Sequence, residues 1–176
     1  METLLTQLNN PGNWNGLAIR YEWPHVDRIW INRPHGEKIC LHKIYPIPDD
    51  ATPYYHPHPW PFRVRLFSGE YYMNVGRCLS ELELEQMIEP PVCARFRLTA
   101  GSCYEMNDPL VWHTVEPIIE PVYSVIHITQ RWKHRVSNCD KCESQKRLSS
   151  QQVSELLAEF VDKFGIDTLS NNIIPL

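Results

Sequence analysis

Between residues 62 and 66 apolar and charged side chains alternate, with Phe62, Val64 and Leu66 separated by Arg63 and Arg65. That period of two marks a strand with one buried face. Similar short runs near 17–22, 27–32, 37–45, 54–58, 70–76, 93–98, 102–106, 111–116 and 121–130 bring the predicted strands to ten, a pattern suited to a sandwich or barrel. Ser68-Gly69 reads as a two-residue hairpin loop that sets Leu66 opposite Tyr71, Val64 opposite Met73 and Phe62 opposite Val75. Glu70 then falls on the outer face, a poor position for a ligand. Residues 79–89 alternate acidic residues with leucines and fit either an exposed strand or a short flanking helix.

The tail has a different period. From Val153, apolar residues recur at Leu156, Leu157, Phe160, Val161 and Phe164, the spacing of a helix with one buried face. Ser149 and Gln152 predict a capping box, Leu148 and Val153 a hydrophobic staple, and Gly165 the stop. Residues 131–147 form a basic stretch that reads as a solvated linker, with binding of an acidic partner as the alternative.

The chain has 176 residues, which favours one domain with a core of its own. Its net charge of −4 argues against a partner rich in phosphate. Neither a signal peptide nor a membrane span is apparent, so the expected location is the cytoplasm. Six cysteines are irregularly spaced and dispersed through predicted strands, and most read as reduced and structural. Cys139 and Cys142 form a lone CxxC, and the second CxxC or HxxxH that would complete a zinc site does not follow it.

Chemistry concentrates in the histidines. His56 and His58 stand two apart, so in an extended chain both rings face the same side and can converge on one ion. Packing among Tyr54, Tyr55 and Trp60 in an aromatic cluster is the reading without an ion. If the strand continues unbroken through Pro59 to Pro61, both rings share the buried face of Phe62, Val64 and Leu66. Val111, His113 and Val115 alternate onto another buried face, where His113 is either a hydrogen-bonded core residue or a third ligand. His42 is either a core residue or an inward group near such a site, while His25, His35 and His134 fall in loops or turns.

An HxHPW segment leading into a strand, a Ser-Gly turn in LFSGEYYMNVG, then a Gly-initiated segment with a late histidine resembles the two motif regions of the cupin superfamily, over about residues 37–130. Similarity is greatest to small bacterial and phage cupins with the HxHPW signature. The resemblance implies a mainly β, single-domain jelly-roll barrel, a double-stranded β-helix, over 37–130. Residues 1–36 would be an N-terminal extension packed on it, and 131–176 the basic linker and a C-terminal α-helix. It also implies a divalent metal at the barrel mouth on His56, His58 and His113, with Fe(II) favoured and Zn, Ni or Mn as alternatives.

One departure from the cupin pattern is consequential. The glutamate ligand usual five residues after the second histidine is replaced by Arg63, or by Phe62 if counted back from Gly69. A guanidinium aimed at the ion from ~6 Å would be repelled by roughly 5 kcal/mol, so Arg63 must face away or hold an anionic ligand. An all-histidine site resembles that of thiol dioxygenases, in which Fe(II) binds a thiol and O₂ together. Those enzymes add an inward Tyr or His near the metal, a role for which Tyr71 and His127 are candidates beside their reading as core residues. The resemblance equally admits a non-catalytic metal or small-ligand binding cupin, or a metal-dependent isomerase or hydrolase. The expected partner is a small-molecule substrate, and the expected assembly a homodimer through an edge strand.

Overall fold

Phe62, Val64 and Leu66 are buried and Arg63 and Arg65 turn away from them, as the alternation requires. In the computed structural model, which describes residues 8–132 and 145–173, this strand is one of twelve arranged in two facing antiparallel sheets. The strands are β1 (Asn15–Ile19), β2 (Val26–Asn32), β3 (Lys38–Ile44), β4 (His56–Pro57), β5 (Phe62–Ser68), β6 (Glu70–Arg77), β7 (Val92–Thr99), β8 (Cys103–Met106), β9 (Val111–His113), β10 (Glu116–Pro117), β11 (Val122–Ile128) and β12 (Lys146–Arg147). The larger sheet runs β12-β1-β2-β3-β11-β5-β8; the smaller runs β10-β6-β9-β4, with β7 paired to β6.

From β3 onward the chain passes back and forth between the sheets, which makes the barrel a double-stranded β-helix, the mainly β cupin-type jelly roll expected. β1 and β2, from the segment expected to pack on the barrel as an extension, are hydrogen-bonded strands of the larger sheet.

Two strand connections differ from expectation. The hairpin at Ser68-Gly69 is not formed. β5 pairs with β11 and β8, whereas β6 pairs with β10, β9 and β7, so the chain changes sheet at Gly69. Gly69 has φ +77°, and a Cβ there would lie 3.0–3.1 Å from Pro121 and Val122. Residues of β5 and β6 expected to sit side by side instead face each other across the core, where Leu66, Tyr71 and Met73 are all buried. The strand through His56 and His58 also does not run on to Phe62. β4 belongs to the smaller sheet and β5 to the larger, and the prolines at 57, 59 and 61, which lack N–H donors, carry the chain between them.

Residues 79–89 contain a short helix, α1 (Glu81–Glu85), whose N-cap Ser80 accepts from the Glu83 N–H and whose first turn is acidic. The tail forms α2 (Ser150–Phe164) and a second helix beyond Gly165, α3 (Ile166–Ile173). Ser149 and Gln152 make the capping box, and Gly165 ends α2 with φ +74°. Val153, Leu156, Leu157 and Phe160 bury α2 against Trp14, Ile29, Ile31, Leu41 and Val125 on the outer face of the larger sheet. Lys43 Nζ reaches Glu159 across this contact at 2.7 Å. Gly16 lets the helix approach, since a Cβ there would stand 2.5 Å from Val153. Replacing Ser149 with alanine removes the N-cap acceptor and is expected to cost about 1 kcal/mol, read as a lower urea midpoint at unchanged slope.

Cys40, Cys78, Cys93 and Cys103 are free thiols, and burial pushes Cys40 up to about 11. Cys139, Cys142, His134 and most of the basic stretch lie outside the described residues. Among the described residues no helix is long and apolar enough to cross a membrane.

Candidate metal centre

Backbone pairing brings two of the histidines together. β4 and β9 are antiparallel with His56 opposite His113, and cross-strand partners share a face. His58 follows β4 by one residue, and its Nε2 lies 2.9 Å from His113 Nε2. One ring nitrogen from each of the three imidazoles lies within 4.8 Å of the other two, and no acidic or thiol group among the described residues joins them. The rings pack edge to face or tilted at 4.7–5.0 Å, with Phe62 at 4.6 Å from His58. His113 is 4% exposed, while His56 and His58 are half-buried.

These rings are held neutral. Burial lowers His56 below its ordinary value, outweighing its hydrogen bond to the Tyr54 carbonyl, with Arg28 adding to the lowering. His58 is held well below by burial first, then by His56, His113 and Arg28, and His113 by burial and His56. Neutral imidazole is the form that ligates metal, so protons compete little for the site near neutral pH.

Several observations show that the residues fit a divalent ion. His56 Nδ1 lies 3.0 Å from the Tyr54 carbonyl oxygen and donates to it, which fixes the ring and leaves Nε2 with a free lone pair. As free rings, His58 and His113 need one of the facing nitrogens to carry a proton; as ligands, both present lone pairs to one ion. Two metal–nitrogen bonds of about 2.0–2.1 Å at a right angle separate the nitrogens by about 2.9 Å, the spacing found here. His113 Nδ1, the other nitrogen of that ring, is buried without a partner among the described residues, and an ion on Nε2 would leave it so.

The other candidates are placed as follows. Arg63 points outward into an ion pair with Glu105, so the arginine at the usual glutamate position does not oppose an ion. Glu70 pairs with Arg97 on the outside. Tyr71 is buried on the inner wall, and its hydroxyl donates to Tyr104 Oη at 2.9 Å. His127 is not brought to the cluster. It stands on the opposite face of β11 from Ser124 and Ile126, and its Nε2 lies 3.2 Å from Glu37. The reason is register, since its cross-strand partners are Ile39 and the outward Arg63. His42 is buried on the inner wall and accepts from Arg28 Nε at 2.6 Å.

The cluster opens into a cavity of about 890 Å³ between the sheets, within the range of small-molecule sites. Its lining includes Arg28, Ser124 and Tyr104, which sequence reasoning did not single out. It also includes Glu22 and Trp23 from the connection between β1 and β2.

Unfolded histidines take up protons near pH 6.5, whereas His42, His56, His58 and His113 resist protonation when folded. Below that pH the unfolded state therefore binds more protons, and stability falls as pH falls. The expected slope in the metal-free protein is up to about 1.4 kcal/mol per pH unit for each of these residues. Urea midpoints at a series of pH values below 7 check this; a flat profile would contradict neutral burial.

No family model matches the chain, and no curated protein matches it by sequence. Solved structures match in shape at low identity. Hydroxypropylphosphonic acid epoxidase from S. wedmorenis is 14% identical with a TM-score of 0.48, covering 68% of this chain and 56% of that one. KdgF from Halomonas sp. is 10% identical with a TM-score of 0.43, covering 65% and 88%. A protein of unknown function (DUF1255) from Acinetobacter sp. ADP1 is 14% identical with a TM-score of 0.42, covering 64% and 93%. The chain spans about half the length of the epoxidase structures it matches.

Proposed function

We propose that this chain is a metal-binding cupin that holds a divalent ion, Fe(II) in preference to Zn, Ni or Mn, on His56, His58 and His113 and acts on a small metabolite in the cavity beside it. The observation that carries this reading is the meeting of three neutral imidazoles at one wall of that cavity. When bound, an ion on three neutral ligands keeps its full charge and open coordination positions, and so supplies Lewis acidity or, as iron, oxidative chemistry of the dioxygenase type.

The chain's own residues do the rest. The Tyr54 carbonyl holds the His56 ring by its Nδ1 proton, and Phe62 shields His58 from water. Tyr71 and Tyr104 form a hydroxyl pair in the same cavity, and burial pushes Tyr104 up to about 12. Both phenols therefore keep their protons at neutral pH; Tyr71 donates its own to Tyr104, which leaves the Tyr104 hydroxyl as the hydrogen-bond donor to a bound molecule. His127 takes no part, because it lies on the far face of the sheet.

The reading includes a cytoplasmic location and a homodimer through an edge strand. β7 supports the latter, since among the described residues it pairs with β6 alone and leaves Val92 and Phe96 exposed.

Metal analysis of protein purified without a histidine tag tests the proposal, followed by oxygen-uptake assays of the Fe(II)-loaded protein against small thiols. Stoichiometric metal lost in the His56→Ala/His113→Ala double variant is the expected result. Oxygen uptake selects the dioxygenase-type reading; zinc or nickel without redox activity selects a binding module or a metal-dependent isomerase or hydrolase. Absence of metal under every loading condition removes the enzyme.

A further inference from the structure

Apart from the Tyr104 hydroxyl, the polar groups on the inner wall of the larger sheet that line the cavity fall along one row. Arg28 on β2 pairs in register with His42 on β3, and His42 with Ser124 on β11. All three line the cavity that holds the histidine cluster, among Val26, Ile44, Val64 and Ile126. Adjacent strands stand about 4.8 Å apart, so the Arg28 side chain must bend over β3 for its Nε to reach His42 Nε2 at 2.6 Å. That hydrogen bond consumes Nε, and no hydrogen bond from the terminal NH₂ fork is found among the described residues.

Arg28 is the single guanidinium in the described lining, which contains no lysine. Neither Glu81 nor Glu85 of the described lining forms an ion pair with it. Its hydrogen-bond partner among the described residues is a neutral imidazole acceptor, which orients the guanidinium without neutralising it. Removing a cation from bulk water without a counter-ion is costly, and a bound anion offsets that cost. Ser124 adds an independent sign: it is 0% exposed, and its Oγ has no partner among the described residues although it lines the cavity. A buried hydroxyl with nothing to bond is a donor waiting for an acceptor.

We infer that Arg28 and Ser124, with His42 as the brace that sets the Arg28 fork, form a subsite for the carboxylate of a small substrate whose apolar body lies along the inner wall. A planar fork offering two parallel N–H groups matches the two oxygens of a carboxylate, and the Ser124 hydroxyl supplies a further donor. This rests on the metal-binding reading in placing the substrate's other end at the histidines, but the arginine and serine do not need the metal to bind an anion. His42 acts as a positioning residue.

The test uses the full chain loaded with zinc, after zinc stoichiometry has been measured by calorimetry. Benzoate and hexanoate are titrated against benzamide and hexanamide, following the arginine Nε–Hε resonances and tryptophan fluorescence. Carboxylates are expected to bind about tenfold or more tighter than the matching amides and to move the Arg28 resonance, identified by its loss in Arg28→Gln. Arg28→Gln should keep one zinc per chain and lose the preference, Arg28→Lys should keep part of it, and Ser124→Ala should weaken carboxylate binding a few-fold. Equal binding of acids and amides overturns the subsite. So does a preference that survives in Arg28→Gln, which assigns the carboxylate to the metal. Failure to bind zinc counts against the metal-binding reading instead, and the same titration of the metal-free protein then decides the subsite on its own.

Discussion

Saturating the metal-free protein with a divalent ion is expected to raise its melting temperature by about 8–16 °C once free ion reaches a thousand times Kd. Binding to the native state alone is worth about 4 kcal/mol at that ratio, and a chain of this size gains about 2–4 °C per kcal/mol. The effect should be this large because the three rings gather from β4, from the residue after it and from β9, 55 positions along the chain from His58 to His113, so the unfolded chain has no comparable site. His113→Ala should abolish the shift while leaving a folded metal-free protein, since it also removes the unpartnered Nδ1. Differential scanning fluorimetry with Co(II), Zn(II) and anaerobic Fe(II) reads the result. An equal shift in wild type and His113→Ala would place the ion elsewhere.

Truncating Phe160 is expected to be the most damaging single core change, at about 3–5 kcal/mol, or a fall in melting temperature of about 6–20 °C. The ring is 0% exposed and packs edge-on to Tyr123 at 5.3 Å, between α2 and the outer face of the larger sheet. Its loss leaves a cavity that neither Ile31 nor Leu41 on the rigid sheet can collapse into. Phe96→Ala, at a ring 48% exposed on β7, should change stability by less than about 0.5 kcal/mol and serves as the control. Urea unfolding of both variants checks the contrast; similar losses would mean that α2 is not docked as described.

Elements that announce themselves locally were legible before any coordinates. The capping box at Ser149 and Gln152, the apolar stripe of α2 and the inward set Phe62, Val64 and Leu66 depend on neighbours within a few residues, and each stands where the pattern placed it. Partners distant in sequence were harder. Alternation says which side chains face inward but not which strand lies alongside, so a hairpin at Gly69 and a crossing between sheets leave the same trace in β5 and β6.

His56 and His58 face one way for a related reason. Their convergence with His113 comes from pairing with β9, not from a continuous strand into Phe62. Arg28 escaped notice because α2 covers the outer face of the larger sheet. Ile29 and Ile31 are buried under the helix while Val26, Arg28 and Trp30 face the barrel interior, so on β2 the apolar positions do not identify the inner side. His127 misled for the same reason: it lies among buried residues of β11, but on the face turned away from the cavity.

Anomalous diffraction from crystals of the cobalt- or zinc-loaded protein, collected on both sides of the metal's absorption edge, tests the histidine site most directly. The expected map carries one peak at bonding distance from a ring nitrogen of each of His56, His58 and His113. A metal-loaded crystal with its peak elsewhere, or with His113 turned away from the other two rings, would contradict it.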